Sequence, residues 1–160
     1  MDFKENTLHY FEKQNNDSLH FECGGVFDID VIPVLLEMFE THLLNDVVST
    51  QNLENDYGPA SMGLYEEKER LEILLDKIKT TGSADEFDTE KKEIEIGNYY
   101  KYFSILKPYH GGKVFWASGL VPAESAMEIS DKVKMFTTKL IEDIGNLGYN
   151  PTKVEKSILQ

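Results

Sequence analysis

One long stretch of this chain, from Pro122 to Leu147, has a pattern that fits a single kind of secondary structure. Its apolar residues recur at steps of three and four, the spacing that places side chains on one stripe of an α-helix. They are Ile129, Val133, Phe136, Leu140, Ile144 and Leu147. Pro122 suits the first turn of a helix, and Gly145 and Gly148 suit its end. We therefore predict a long amphipathic helix here, whose stripe the rest of the chain must cover.

The start of the chain predicts a β-hairpin. Residues 7–13 and 18–23 alternate between the two faces of a strand, with Leu8 and Tyr10 matched by Leu19, Phe21 and Cys23. The turn residues Asn15-Asn16-Asp17 separate the two strands, and Gly24-Gly25 is expected to end the second.

Two more helices are expected before the middle of the chain. The first is capped by Asp28 or Asp30 and ends near Asn45, and its stripe consists of Ile32, Leu36, Phe39, Leu43 and Val47. The second spans Leu64 to Lys79, although a strand over Leu71 to Leu75 is an open alternative. The polar segment from Ser49 to Gly63, which contains Gly58-Pro59, is expected to be a functional or mobile loop.

The second half of the chain predicts a three-stranded meander over residues 93–96, 99–107 and 113–121, after a disordered connection over 80–90. The meander is rich in aromatic residues, which predict either a packed core or an exposed aromatic surface. The fold class is therefore α+β: the hairpin and the meander form an antiparallel sheet that packs against two or three helices. Residues 1–150 are expected to form a single domain, and Asn150-Pro151 to precede a tail over 151–160.

Composition narrows the class of protein. The chain has 160 residues, 41% of them hydrophobic, and its single Cys23 cannot form an internal disulfide bond. No apolar signal segment starts the chain and no stretch is long enough to span a membrane. These features predict a cytoplasmic protein, a monomer or homodimer, that does not contact membranes.

The charge of the chain is strongly negative and unevenly distributed. The net charge is −13, which argues against direct binding of nucleic acid, because phosphates require clustered basic residues. Residues 1–60 carry 12 acids and 2 bases, and no Lys or Arg occurs between Gln14 and Glu67. The negative potential therefore belongs mainly to one part of the molecule.

No catalytic motif accompanies this charge. The sequence has no HExxH, CxxC, P-loop or GxSxG pattern, and it predicts no enzyme, cofactor or bound metal. A hairpin turn at Asn15-Asn16 would place His9 opposite Glu22 and Phe11 opposite His20. His9, His20 and Glu22 could then bind a metal ion, and the alternative is that they form an exposed polar face of the sheet. Cys23 is expected to be a small buried apolar residue.

The opposite face of the first helix combines acids with aliphatic residues, and further acids and an aromatic residue follow in the next loop. We predict that these residues bind a partner: Asp30, Val34, Glu37, Glu40, Leu44, Glu54, Asp56 and Tyr57. Acids steer a basic partner towards the surface, and apolar side chains seal the contact. A solvated surface that keeps the protein soluble is the alternative.

These properties lead to three classes of function. Small acidic proteins without a catalytic constellation are similar in general character to bacterial immunity proteins and antitoxins, which neutralise a toxin by occluding it. The first hypothesis is such a binding protein, with a basic partner such as a toxin nuclease; an inhibitor that imitates DNA is a related version. The alternative is a small-molecule sensor or small enzyme with a pocket between the sheet and the helices. A third hypothesis is a structural subunit of a larger assembly.

Overall fold

A computed structural model describes residues 4–15, 18–48, 54–96, 100–123 and 130–159, and at 15, 48, 54–61 and 130 it describes the backbone alone. Its strands are β1 (Thr7–Asn15), β2 (Ser18–Asp28), β3 (Lys92–Ile96), β4 (Tyr100–Pro108), β5 (Lys113–Pro122) and β6 (Asn150–Lys153). Its α-helices are α1 (Ile32–Leu43), α2 (Glu54–Thr81) and α3 (Ser130–Asn146).

The six strands form one mixed sheet in the order β3-β4-β5-β2-β1-β6. All neighbouring strands are antiparallel except β1 and β6, which are parallel. The helices cover one face of the sheet: Phe39 of α1 packs against Trp116 of β5, and Phe136 of α3 packs against Phe21 of β2. The predicted α+β domain, a mostly antiparallel sheet packed against helices, is confirmed. None of the described helices is long and apolar enough to cross a lipid bilayer.

The N-terminal hairpin is confirmed, but its predicted register is wrong. Asn15 pairs with Ser18, so His9 faces Gly24 instead of Glu22, and Phe11 faces Glu22 instead of His20. The shift is two residues, so each side chain keeps its predicted face of the sheet.

The second strand also continues through the glycines that were expected to end it. A Cβ atom at Gly25 would lie 2.5 Å from the carbonyl oxygen of Thr7, and one at Gly24 would lie 2.8 Å from the Cβ of Ala117. The glycines therefore do not end the strand. They allow neighbouring strands to approach closely inside the sheet.

The apolar stripes of the first and last helices are buried as predicted: Ile32, Leu36, Phe39, Leu43 and Val47 in one, and Val133, Phe136, Leu140 and Ile144 in the other. The predicted cap of the first helix is wrong. A 3₁₀ turn over Ile29–Val31 precedes α1, and Asp28 makes no capping hydrogen bond. Its carboxylate instead accepts a 2.8 Å hydrogen bond from Lys113 of β5.

The last helix is shorter than predicted at both ends. Pro122 is the last residue of β5, where it pairs with Tyr100, so the helix does not begin there. Ile129 lies outside the described residues. At the other end α3 stops at Asn146, and Leu147 is exposed rather than part of the stripe. The chain then reverses through Gly148, whose φ of 98° favours glycine.

The second helix is longer than predicted because it begins at Glu54, inside the expected loop. Gly58-Pro59 therefore lies within its first two turns. The predicted stripe is buried against the sheet: Leu64, Leu71, Leu74, Leu75 and Ile78. Residues 71–75 are helical, so the alternative strand is ruled out. Burial of the stripe stabilises the helix as far as Thr81.

The connection over residues 80–90, expected to be disordered, has a defined structure. It contains a 3₁₀ turn over Glu86–Thr89, and Lys77 of α2 binds Asp85 and Asp88 at 2.9 Å each. The guanidinium of Arg70 donates a 2.8 Å hydrogen bond to the carbonyl of Asp88. Basic side chains of the preceding helix thus hold a segment whose own composition is too polar to fold alone.

The meander is confirmed, and most of its aromatic residues belong to the core. Tyr100, Tyr102, Phe103 and Trp116 are buried, which supports the packed-core alternative. The predicted turn at 97–98 and Tyr99 lie outside the described residues.

The segment expected to be a tail packs on the sheet. Asn150–Lys153 forms the edge strand β6, and the chain then crosses the face of the sheet opposite the helices. There Ile158 is buried against Ile105 and Ala117. Below, residues 154–159 are called the C-terminal strap.

Candidate protein-interaction surface

The outer surface of the helical layer is formed by α1 and α2, which run antiparallel. Asp30, just before α1, lies 3.3 Å from Lys79, and Glu40, near the end of α1, lies 3.9 Å from Lys68. Residue numbers therefore rise along one helix as they fall along the other. The two helices present their outward faces to solvent side by side.

The residues predicted on the first helix lie mostly on this surface. The Asp30 side chain is 86% exposed and Val34 is 48% exposed, and Glu37 is also exposed. Glu40 is half-buried beside Lys68, and half-buried Leu44 packs against the hydrophobic core in a π-helical turn over Leu44–Val48. The exposed area that Glu40 and Leu44 offer to a partner is therefore smaller than helical periodicity predicts.

The three residues predicted in the loop, Glu54, Asp56 and Tyr57, instead lie in the first turn of α2. Their backbones extend the same helix whose later turns flank α1. Their side chains lie outside the described atoms, so the structure does not test the contacts predicted for them.

Sequence reasoning missed the outward face of α2, which carries four exposed acids: Glu66, Glu69, Glu72 and Asp76. Three large apolar side chains are exposed on the same helix: Met62, Tyr65 and Ile73, each at 64%. The spacing of Glu69, Glu72 and Asp76 by three and four residues is a signal that they share a helix face. It was missed because the span without Lys or Arg, from Gln14 to Glu67, ends just before Lys68.

The carboxylates of the two helices influence one another. Burial raises the pKa of Glu40, Lys68 lowers it, and the nearby Glu72 and Glu37 raise it again, so that the pKa lies above its ordinary value. Glu72 belongs to α2 and Glu37 to α1, so this coupling shows acids of both helices facing the same region. Together with the exposed apolar side chains, they form what we call the acidic surface: Asp30, Val34, Glu37, Tyr65, Glu69, Glu72, Ile73 and Asp76.

The buried carboxylate of Glu67 anchors α2 beneath this surface. Glu67 is buried and accepts hydrogen bonds from Arg70, with an Nε–Oε1 distance of 3.0 Å, and from the Ser104 hydroxyl at 3.0 Å. Ser104 belongs to β4, the second strand from one edge of the sheet. Its hydrogen bond to Glu67 therefore links the helix to the sheet, and Arg70 of the same helix neutralises the Glu67 carboxylate.

Glu22, which was weighed for a metal site, holds the C-terminal strap, and Cys23 is buried. The carboxylate of Glu22 lies 3.5 Å from His20, but it also accepts hydrogen bonds from Ser157 and from the N–H of Ile158. Cys23 is buried, which raises the pKa of its thiol. No three metal-ligating side chains come together within the described ranges.

No protein-family model, curated protein or solved structure matches this chain.

Proposed function

We propose that this chain is a small binding protein that neutralises a basic protein partner by occluding it, in the manner of an immunity protein or antitoxin. The observation that carries the proposal is the acidic surface, where carboxylates surround exposed apolar side chains on two adjacent helices. Isolated exposed apolar residues are ordinary. Here Tyr65 and Ile73, each 64% exposed, lie on a helix whose exposed positions also include Glu69, Glu72 and Asp76.

The two kinds of side chain would act at different stages of binding. Glu37, Glu72 and Asp76 would attract a basic partner over a Debye length of about 8 Å at physiological ionic strength. After contact, Tyr65 and Ile73 would be desolvated against the partner and would slow its release. Such a division explains why charged and apolar residues alternate on the outward face.

The rigidity of the surface suits occlusion. The stripe of leucines and the hydrogen bond between Ser104 and Glu67 hold α2 on the sheet, so little conformational freedom is lost when a partner binds. A row of carboxylates on a rigid helix also suits the cleft of a nuclease, where basic residues normally bind phosphates. A toxin nuclease is therefore the partner class that we favour.

A capture experiment with matched baits tests the proposal. Wild-type protein, a Glu37→Lys/Glu72→Lys variant and an Asp131→Lys/Glu142→Lys variant are immobilised and exposed to a lysate of the organism that encodes the chain. Asp131 and Glu142 are exposed on α3, so the second variant has the same net charge as the first. We expect a basic protein on the wild type and on the α3 variant but not on the surface variant. Identical proteins on all three baits would refute the proposal.

A further inference from the structure

The edge of the sheet at β1 is only partly covered by β6. The two strands pair from Thr7 to Tyr10, and the final contact is a 2.8 Å hydrogen bond from the N–H of Val154 to the carbonyl of Tyr10. The chain then leaves the edge, because the C-terminal strap crosses the face of the sheet towards Glu22. Residues 11–15 of β1 have no neighbouring strand on their outer side in the described part of the chain.

The backbone of this open edge is oriented for strand pairing. The Tyr10 carbonyl points outward to Val154, and backbone groups of a strand alternate in direction with every residue. The N–H and C=O groups of Glu12 and Gln14 therefore also point outward. Lys13, between them, directs its backbone groups to His20 of β2.

A cleft lies on each face of the open edge. On the face opposite the helices, a cleft of about 490 Å³ is lined by Phe11, Lys13 and His20 and by residues 155–157 of the strap. On the helical face, a cleft of about 390 Å³ is lined by Gln14 and Leu19 together with α3 and Lys153. Side chains of an added strand would alternate between these two clefts.

The charge of the clefts contrasts with that of the whole chain. The cleft on the helical face is lined by Lys134 and Lys153 against the single acid Glu12. In the other cleft, Lys13 and Lys156 balance Glu12 and Glu155. The acidic surface is distant in the fold, because α2 packs on β3 and β4, at the other end of the sheet. A local excess of lysine within a protein of net charge −13 indicates an acidic ligand.

We propose that the open edge of β1 binds an extended acidic segment of another protein by strand addition. Backbone hydrogen bonds to Glu12 and Gln14 would supply affinity, and the cleft on the helical face, with Lys134 and Lys153, would select acidic side chains at alternate positions. A second copy of this chain fits the edge less well. Antiparallel pairing centred on Glu12 or Lys13 would set two like charges opposite each other. This site is separate from the acidic surface and does not depend on the function proposed above.

Selection from a phage-displayed library of random linear heptapeptides tests the inference. The full-length protein is the target, and the dissociation constants of the enriched peptides are measured by fluorescence anisotropy. We expect acidic residues at alternate positions of these peptides. Enrichment of basic peptides, or of none, would overturn the inference.

Two variants locate the binding. Gln14→Pro removes an outward N–H that β1 does not use, so the fold should persist while peptide affinity falls by about tenfold or more. Lys134→Glu/Lys153→Glu leaves the backbone unchanged and should weaken acidic peptides by a similar factor of about ten. The Glu37→Lys/Glu72→Lys variant should bind the peptides as the wild type does. Peptide binding that is equal in all variants would overturn the inference, as would self-association that Gln14→Pro abolishes, since a second copy would then occupy the edge.

Discussion

The carboxylate of Glu22, buried in the middle of the sheet, accepts a 3.1 Å hydrogen bond from the backbone N–H of Ile158, which lies 136 residues further along the chain. The same oxygen accepts a 2.6 Å hydrogen bond from the Ser157 hydroxyl. A charged acceptor thus holds the C-terminal strap on the face that the helices leave open. The strap is a structural part of the domain.

The apolar contact of the strap should contribute measurably to stability. Ile158→Ala removes most of a side chain that is buried against Ile105 and Ala117, and should lower the free energy of unfolding by about 2 kcal/mol. Leu147→Ala, at an exposed position, is the control and should change it by less than about 0.5 kcal/mol. Urea denaturation of both variants measures the difference. Equal effects would show that the strap does not contribute.

The contribution of Glu22 should depend on pH. Burial raises the pKa of Glu22, but hydrogen bonds from His20, Ser157 and the Ile158 N–H leave it below its ordinary value. A carboxyl with a lowered pKa adds stability above the ordinary value, about 4.3, and loses this contribution as the pH falls through the folded-state pKa.

Comparison with Glu22→Gln isolates this effect from all other titrating groups. At neutral pH the variant should be less stable than the wild type by about 1–2 kcal/mol, because hydrogen bonds to a charged acceptor are lost. The difference should shrink at pH values below the ordinary Glu pKa of about 4.3. Denaturation at several pH values measures it, and a difference that stays constant would contradict the assignment.

The local patterns predicted the helices but not the contacts between distant segments. Val133, Phe136 and Leu140 are buried as their spacing requires, because helical periodicity is set within a few residues. Pro122 was placed in the wrong element because the end of β5 depends on pairing with Tyr100 of the neighbouring strand. The strap was missed for a similar reason, since its position depends on Glu22 and no local pattern records that contact.

The exposure of the candidate surface was predicted in part. Asp30 and Glu37 are exposed as expected, and their helix lies within the span from Gln14 to Glu67 that has no Lys or Arg. Glu72 and Asp76 were missed because lysines occur on the same helix, and only the fold shows that Lys68 and Lys79 turn towards α1. The net charge of a segment therefore predicts a surface less well than does the helix face on which each charged residue lies.

Removing one partner of the Glu67–Arg70 pair should lower the free energy of unfolding much more than replacing both partners with apolar residues. Arg70→Met leaves the Glu67 carboxylate buried without its cation, and should lower the free energy of unfolding by about 3–5 kcal/mol. The double variant Glu67→Met/Arg70→Met should recover most of that loss, because no buried charge remains. A double-mutant cycle by chemical denaturation measures this. Additive losses would contradict a coupled pair.

An exposed aromatic side chain should control the lifetime of the proposed complex. Tyr65→Ala should raise the dissociation rate constant of the captured basic partner by about tenfold or more, if Tyr65 is desolvated at the centre of the contact. Met135→Ala, at an exposed position of α3, is the control and should have little effect. Surface plasmon resonance measures both rates. Similar rates for both variants would place the contact elsewhere.

The association rate constant of the captured partner, measured as ionic strength rises, tests the proposed function most directly. For the wild type and the Asp131→Lys/Glu142→Lys control, we expect a fall of about tenfold or more from low to high salt. For Glu37→Lys/Glu72→Lys, we expect a low rate that depends only weakly on salt. A wild-type rate that is indifferent to salt, or equal rates for the two charge reversals, would contradict the role assigned to the acidic surface.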